Sequence, residues 1–239
     1  MKVTNYLLGY KNLKIIQNTE MFNFSLDSVL LPNFVTLNKN VKNILDIGCG
    51  NGPVSLILST KTDAKITGVE IQKEVYEMAK ETVKMNNLDK RINIINADIN
   101  ELKDELETET FDVITCNPPF FEVRSNSKLN KNDYKTIARH EVKLTLNQLM
   151  KISRKLLKNN GIVSLVHRPE RLVDILTMMR ENNIEPKKIR FVYPKKEKNA
   201  NILLIEGVKN GKKGLKIYPP LFTHNSDGSY TKEVENYFK

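Results

Sequence analysis

The chain has 239 residues, 40% of them hydrophobic, enough for one large domain with a proper core. No apolar run approaches the roughly 18–20 residues of a membrane span, and Met1-Lys-Val-Thr-Asn-Tyr6 is not followed by a signal-type apolar stretch. Cys49 and Cys116 have neither metal-ligand spacing nor the look of a disulfide framework. Two buried thiols in a reducing cytoplasm are therefore expected, with no metal and no membrane partner. The net charge of +10 is uneven: residues 185–239 hold 12 Lys or Arg against 6 Asp or Glu. Lys187, Lys188, Arg190, Lys195, Lys196 and Lys198 cluster there, a field that attracts polyanions. By charge alone, a solvated surface in a lysine-rich chain would look the same.

Residues 1–36 read as an N-terminal extension over the site of the main domain, residues 37–239. Within the extension, the aromatics of Phe22-Asn-Phe24 either cover a cofactor or dock the segment on the core, and Asp27 opens a helix. A first strand over 41–47 runs into Asp46-Ile-Gly-Cys-Gly-Asn-Gly52 and a helix over 53–61. Gly48, Gly50 and Gly52 allow tight turns and close approach of a ligand, but the spacing is not that of a pyrophosphate-binding dinucleotide loop. Asp46 would repel a pyrophosphate and suits a cationic head such as that of S-adenosylmethionine. A second strand over 64–70 ends in Glu70, 24 positions after Asp46. An acid about 20 residues beyond such a loop commonly holds ribose hydroxyls; it could equally open the next helix, over 72–86. A third strand over 91–96 leads to Asp98, a candidate acceptor for an adenine amine or simply a helix cap. Ile71 and Ile99, which follow these acids, complete the expected cofactor set with Phe24, Asp46, Gly48, Gly50, Glu70, Asp98 and Asn117.

After a short helix over 99–106, a fourth strand over 111–116 ends in Asn117-Pro118-Pro119-Phe120. The prolines stiffen the backbone and leave its carbonyls available. Asn117 offers a neutral carbonyl acceptor, and Phe120 a face on which a base can stack. Together these residues can hold a planar amine for group transfer, although Asn-Pro is also a common turn opener. A long polar stretch, residues 121–140, follows; it carries Arg124, Lys128, Lys131, Arg139 and His140. Of these, Arg124 and Arg139, with Lys195 and Lys196, are the expected nucleic-acid contacts. Helices over 141–158 and 169–183 alternate with strands over 161–167, 189–193 and 201–207, the last two forming an antiparallel hairpin across 194–200. In the first of these helices Leu144, Leu149, Ile152 and Leu156 recur at helical spacing as core. The β–α alternation predicts an α/β fold, a mixed seven-stranded Rossmann-like sheet with helices on both faces.

The motifs Phe22-x-Phe-Ser-x-Asp27-x-Val-Leu-Leu31, Leu45-Asp-Ile-Gly-Cys-Gly-Asn-Gly52, Gly68-Val-Glu-Ile-Gln72, Asn117-Pro-Pro-Phe-Phe121, Ala138-Arg-His-Glu141 and Asp227-Gly-Ser-Tyr-Thr231 span nearly the whole chain. Taken together, the chain resembles the bacterial tRNA adenine-N6 methyltransferases that modify the adenosine 3′ of the anticodon in valine tRNA. The resemblance implies a class I methyltransferase fold, S-adenosylmethionine as methyl donor, the anticodon stem-loop of a tRNA as partner, and a monomer. It implies that Asn117 and Pro118 accept the N6 hydrogens, with Pro119 and Phe120 completing the catalytic set. Ribosomal RNA guanine-N2 and protein glutamine-N5 methyltransferases carry a similar tetrapeptide. A non-catalytic RNA-binding module with a retained cofactor fold is a further alternative.

Overall fold

A computed structural model describes residues 1–19, 25–118 and 144–238. The chain opens with a hairpin of β1 (Lys2–Leu7) and β2 (Tyr10–Asn18), then α1 (Asp27–Phe34). Next come β3 (Asn43–Ile47), α2 (Pro53–Ser59), β4 (Lys65–Glu70), α3 (Lys73–Met85), β5 (Ile92–Asn96), α4 (Ile99–Leu102) and β6 (Phe111–Cys116). The second half holds α5 (Leu146–Leu156), β7 (Leu157–His167), α6 (Leu172–Glu181), β8 (Ile184–Tyr193), β9 (Ile202–Lys209), β10 (Lys216–Ile217), β11 (Leu221–Phe222) and α7 (Lys232–Asn236).

The main sheet runs β5-β4-β3-β6-β7-β9-β8-β10, with β11 also on β8. Strands β3 to β7 pair in parallel, whereas β9 is antiparallel to both β7 and β8. Side chains on successive strand residues point to opposite faces. Ile44 therefore enters one hydrophobic core, with α1, α2 and α3, while Leu45 and Ile47 enter the other, with α4, α5 and α6. Strands β3, β4, β6 and β9 and the second half of β7 are buried on both faces, which explains why they read as nearly continuous apolar runs.

The seven predicted strands and the hairpin of β8 and β9 are present. Two short edge strands, β10 and β11, bring the sheet to nine, and the N-terminal hairpin forms a separate two-stranded sheet. The helix expected over 141–158 is shorter: it begins at Leu146, where Thr145 and Gln148 form a reciprocal capping box, worth about 1 kcal/mol. Leu144 lies before it, partly buried against the core, and residues 141–143 are outside the described residues. The helix stops at Leu156 because β7 begins at once, and a kink with Asn160 at φ 61° and an adjoining register shift take the strand into pairing with β6. The helix expected over 169–183 is a 3₁₀ turn followed by α6, and that over 99–106 is the single turn of α4.

The connection leaving β3 leads to β4 on one side of the sheet, whereas β6 lies on its other side. The carboxyl ends of β3 and β6 thus flank a topological switch point, where open α/β sheets bind ligands. No helix among the described residues is long and apolar enough to cross a membrane.

Candidate functional site

The glycine-rich turn leaves β3 at this switch point. Gly48, Gly50 and Gly52 all adopt positive φ (66°, 58° and 94°), a region that favours glycine. A Cβ added at any of the three would meet nothing within 4 Å, so the glycines face open space. Backbone N–H groups of Gly48 and Cys49 donate to the carbonyl of Val69 at 2.9 and 3.0 Å, fixing the turn against the end of β4. The loop is also tied to the N-terminal hairpin, because buried Asn51 donates from Nδ2 to the carbonyl of Ile16 at 2.7 Å.

Two buried carboxylates stand beneath this open cradle. Asp46 is 1% exposed. Its Oδ2 accepts from Ser55 Oγ at 2.7 Å and its Oδ1 from Thr115 Oγ1 at 2.9 Å. Burial raises its pKa to about 6, against the pull of the two hydroxyls. Glu70 accepts the Gly50 N–H at 3.0 Å and the Gln72 N–H at 2.8 Å, and burial raises its pKa as well. With about four acceptor sites on its two oxygens, the carboxylate keeps capacity for a further donor. No ion pair to either acid occurs among the described residues. Open space over glycines beside two buried acids fits a ligand with a cationic head and donor hydroxyls. Both thiols are buried, and the Cys49 thiol is pushed up by burial and by the neighbouring charges of Asp46 and Glu70, so it is no nucleophile.

Asp98 caps α4, accepting from the backbone N–H and Nδ2 of Asn100, both at 2.9 Å, while Ile99 is buried beside it. Half-buried Ile71 receives a hydrogen bond on its carbonyl from Asn96 Nδ2 at 3.2 Å. At the end of β6, Asn117 is half-buried and Pro118 buried. Asn117 Nδ2 donates to Ser28 Oγ of α1 at 3.4 Å. The structure therefore brings Asp46, the glycine turn, Glu70, Ile71, Asp98, Ile99, Asn117 and Pro118 to one edge of the sheet. Phe24, Pro119, Phe120, Arg124, Lys128, Lys131, Arg139 and His140, and the whole stretch 121–140, lie outside the described residues. Sequence reasoning missed Ser28, Asn51, Ser55 and Thr115, because each acts on a partner that no local pattern pairs it with.

The basic cluster divides in two. Lys187 donates to the carbonyl of Lys212, and Lys188 lies over the rings of Phe34 and Tyr218 while donating to the carbonyl of Phe34. Arg190 binds Pro219, Tyr237 and Glu233. Lys187 and Arg190 thus brace the C-terminal segment, and Lys188 ties the end of α1 to β8. Lys195 and Lys196 lie on the connection between β8 and β9, Lys195 reaching the carbonyl of Ser226 at 3.1 Å and Lys196 exposed. His167 at the carboxyl end of β7 pairs with Leu203 at the start of β9, so this connection leaves the same sheet edge as Asn117.

The family model described as methyltransferase small domain matches residues 25–181. A tRNA1(Val) (adenine(37)-N6)-methyltransferase of Flavobacterium psychrophilum is 30% identical over 184 residues, 77% of each chain. One of Christiangramia forsetii is 29% identical over 78% of each. Among solved structures, a predicted O-methyltransferase from Agrobacterium tumefaciens superposes with a TM-score of 0.71 over 89% of this chain and 95% of that one, at 19% identity. That likeness shows a class I methyltransferase fold.

Proposed function

The chain belongs to the family of the tRNA1(Val) (adenine(37)-N6)-methyltransferases, and from that membership we propose that it methylates the exocyclic N6 of adenosine 37, beside the anticodon of a valine tRNA. The observation that carries this reading is the placement of Asn117 and Pro118 at the switch point beside the glycine turn, in a chain alike over 77% of its length to an enzyme of that name. S-adenosylmethionine is the methyl donor. Asp46 and the turn at Gly48 and Gly50 surround its methionine part, Glu70 accepts from its ribose hydroxyls and Asp98 from its adenine amine, with Ile71, Ile99 and Phe24 beside them.

Adenine N6 is a poor nucleophile because its lone pair is delocalised into the ring. Asn117 Oδ1 and the Pro118 carbonyl accept the two N6 hydrogens and stabilise the positive charge that develops on nitrogen. Pro119 keeps the turn rigid, and Phe120 stacks on the flipped base, whose extrusion from an unpaired loop costs only a few kcal/mol. When bound, the donor supplies an electrophilic methyl carbon on a sulfonium, which accepts the N6 electron pair as its bond to sulfur breaks. The methylated amine is acidic and releases its proton to water, so no general base is assigned. Lys195 and Lys196, with Arg124 and Arg139, contact the tRNA backbone, and residues 1–36 close over the cofactor from the N-terminal side. The enzyme acts in the cytoplasm as a monomer.

The test is methyl transfer from labelled S-adenosylmethionine to total tRNA lacking this modification, followed by nucleoside analysis. N6-methyladenosine in a valine tRNA is the expected product. Label in N2-methylguanosine, or only in protein or ribosomal RNA, would overturn the substrate and leave the fold and cofactor standing.

A further inference from the structure

We infer that residues 212–218, a strip along the outer edge of the main sheet, are a docking surface for the phosphate backbone of tRNA, with Lys212, Lys213 and Lys216 as its contacts. The inference rests on tRNA being the substrate, as proposed above. The sequence places a basic cluster at residues 187–198, but the fold commits two of those cations to holding this strip. Lys187 Nζ donates to the carbonyl of Lys212 at 3.0 Å, and Arg190 Nε to that of Pro219 at 3.0 Å. Between them, the Tyr218 N–H donates to the carbonyl of Ile189 at 2.8 Å, and Lys216 and Ile217 pair with Lys188 and Ile189 as β10. The backbone of the strip is thus fixed against β8 along its length.

Every residue from 212 to 220 is nonetheless exposed. No Asp or Glu occurs between Glu206 and Asp227, and no ion pair among the described residues involves Lys212, Lys213 or Lys216. Three uncompensated ammonium groups on a fixed backbone form a positive ridge that suits a polyanion. The ridge leads toward the site. β8 runs parallel to β7, so its carboxyl end reaches the sheet edge of Asn117; β11 follows it there, and Lys195 reaches Ser226 just beyond. Lys216 lies level with Lys188, five residues before the end of β8 and four strands across from β6. At about 3.3 Å per residue and 4.8 Å per strand, that is roughly 25 Å from the Asn117 end of β6. A stem whose loop enters the site can lie across that distance, and it offers phosphates whatever its sequence. Lysines on an edge strand also discourage pairing with another sheet, but that duty alone would leave tRNA binding untouched, so the two roles are separable.

The test measures affinity for an unmodified valine tRNA transcript across about 50–200 mM salt, in the parent and in the triple variant Lys212→Gln, Lys213→Gln, Lys216→Gln. Each phosphate contact adds about 0.7–0.9 to the slope of log affinity against log salt, so the variant's slope should be shallower by about 2 and its affinity at low salt about tenfold weaker. The Kd for S-adenosylmethionine and kcat at saturating tRNA should stay within about twofold, because contacts far from the reacting atoms bind substrate and transition state alike. The same change at Lys65, Lys84 and Lys90, exposed lysines toward the opposite flank of the sheet, should leave the slope as it was. An unchanged slope in the strip variant, or an equal change in this control, would overturn the inference. Normal tRNA binding with self-association on a sizing column would assign the three lysines to edge protection alone. Ile217 is 68% exposed on the same strip. Ile217→Ser should leave tRNA affinity within about twofold, and a loss as large as that from the lysines would make the strip an apolar contact instead. A parent that binds S-adenosylmethionine but neither binds nor methylates tRNA would sink the proposed substrate itself, so the two failures are distinguishable.

Discussion

The two ends of the same sheet treat carboxylates in opposite ways. At the amino-terminal edge, acids are matched with lysines from the chain itself. Lys158 binds Asp112 at 2.7 Å, and with the backbone N–H groups of Asn43 and Lys42 it holds that carboxyl low against the upward pull of burial. Lys155 and Lys103 hold Asp104 low, and Lys209 does the same for Glu109. At the carboxyl-terminal edge, Asp46 and Glu70 are more deeply buried, receive only neutral donors, and have raised pKa values. A fold optimised for stability alone would pair or remove such charges. The difference teaches that one edge neutralises its acids within the fold, whereas the other keeps buried acids of the kind that a ligand with its own positive charge would match. Substitutions at the site edge should therefore damage function and spare or raise stability, and substitutions at the opposite edge should do the reverse.

The sharpest test of this division is Asn117→Ala. It should lower kcat by about 10²–10³-fold, the usual cost of losing a preorganised acceptor or donor at a developing charge. Affinity for S-adenosylmethionine, read by calorimetry, should stay within about twofold, and Tm should hardly move; full activity would remove Asn117 from the mechanism. Next in size is Glu70→Ala, which should weaken cofactor binding by about 10–100-fold through loss of charge-assisted hydrogen bonds. Unchanged affinity would count against its ribose role.

The sheet and its switch point were legible because strands buried on both faces leave short apolar runs, and because the glycine turn and the acids sit at strand ends where spacing can be counted. The hairpin of β1 and β2 was not read. Its strands carry Lys2, Thr4, Asn5 and Lys14 among the apolar residues, and only Gly9, at φ 79°, marks the turn between them. β10 and β11 are two residues each, too short for any periodicity. The support of the acids was equally hidden. Thr115 lies 69 positions from Asp46 and belongs to a strand where threonine is an ordinary residue. Which basic residues become struts also depends on the C-terminal segment returning to β8, as Arg190 does with Glu233 and Tyr237.

A third substitution separates charge from shape. Asp46 has a folded pKa of about 6 against an ordinary 3.8. The folded state therefore holds its proton more tightly than the unfolded chain does. Stability should fall as pH rises from about 4 to 6, by up to about 3 kcal/mol, and stay at that lower level above. Asp46→Asn removes this titration. At pH 7.5 the variant should be as stable as its parent or more so, and any advantage should vanish toward pH 4, where the parent's carboxyl is protonated. Cofactor affinity should move the other way: the parent should bind a cationic ligand less well as pH drops below 6, and the variant weakly and with a flatter profile. A variant that binds S-adenosylmethionine as tightly as its parent at pH 7.5 would mean that the buried charge serves the fold and that the contrast between the two edges fails at its centre.

The smallest effect belongs to the other edge. Lys209 is 1% exposed, and its ammonium donates to Glu109 and to the carbonyl of Leu157, both at 2.7 Å. Lys209→Met keeps much of the side-chain volume and leaves the buried carbonyl without its donor, so Tm should fall by about 5 °C. Glu109 is 58% exposed on its side chain and turns to water, so it adds little to that loss. Cofactor affinity and kcat measured at 25 °C should be unchanged, because the carbonyl of Leu157 lies at the start of β7, the far end of the strand from His167. A loss of methyl transfer without a loss of Tm would show that the two edges are coupled through the sheet, and would turn a division of labour into a single network.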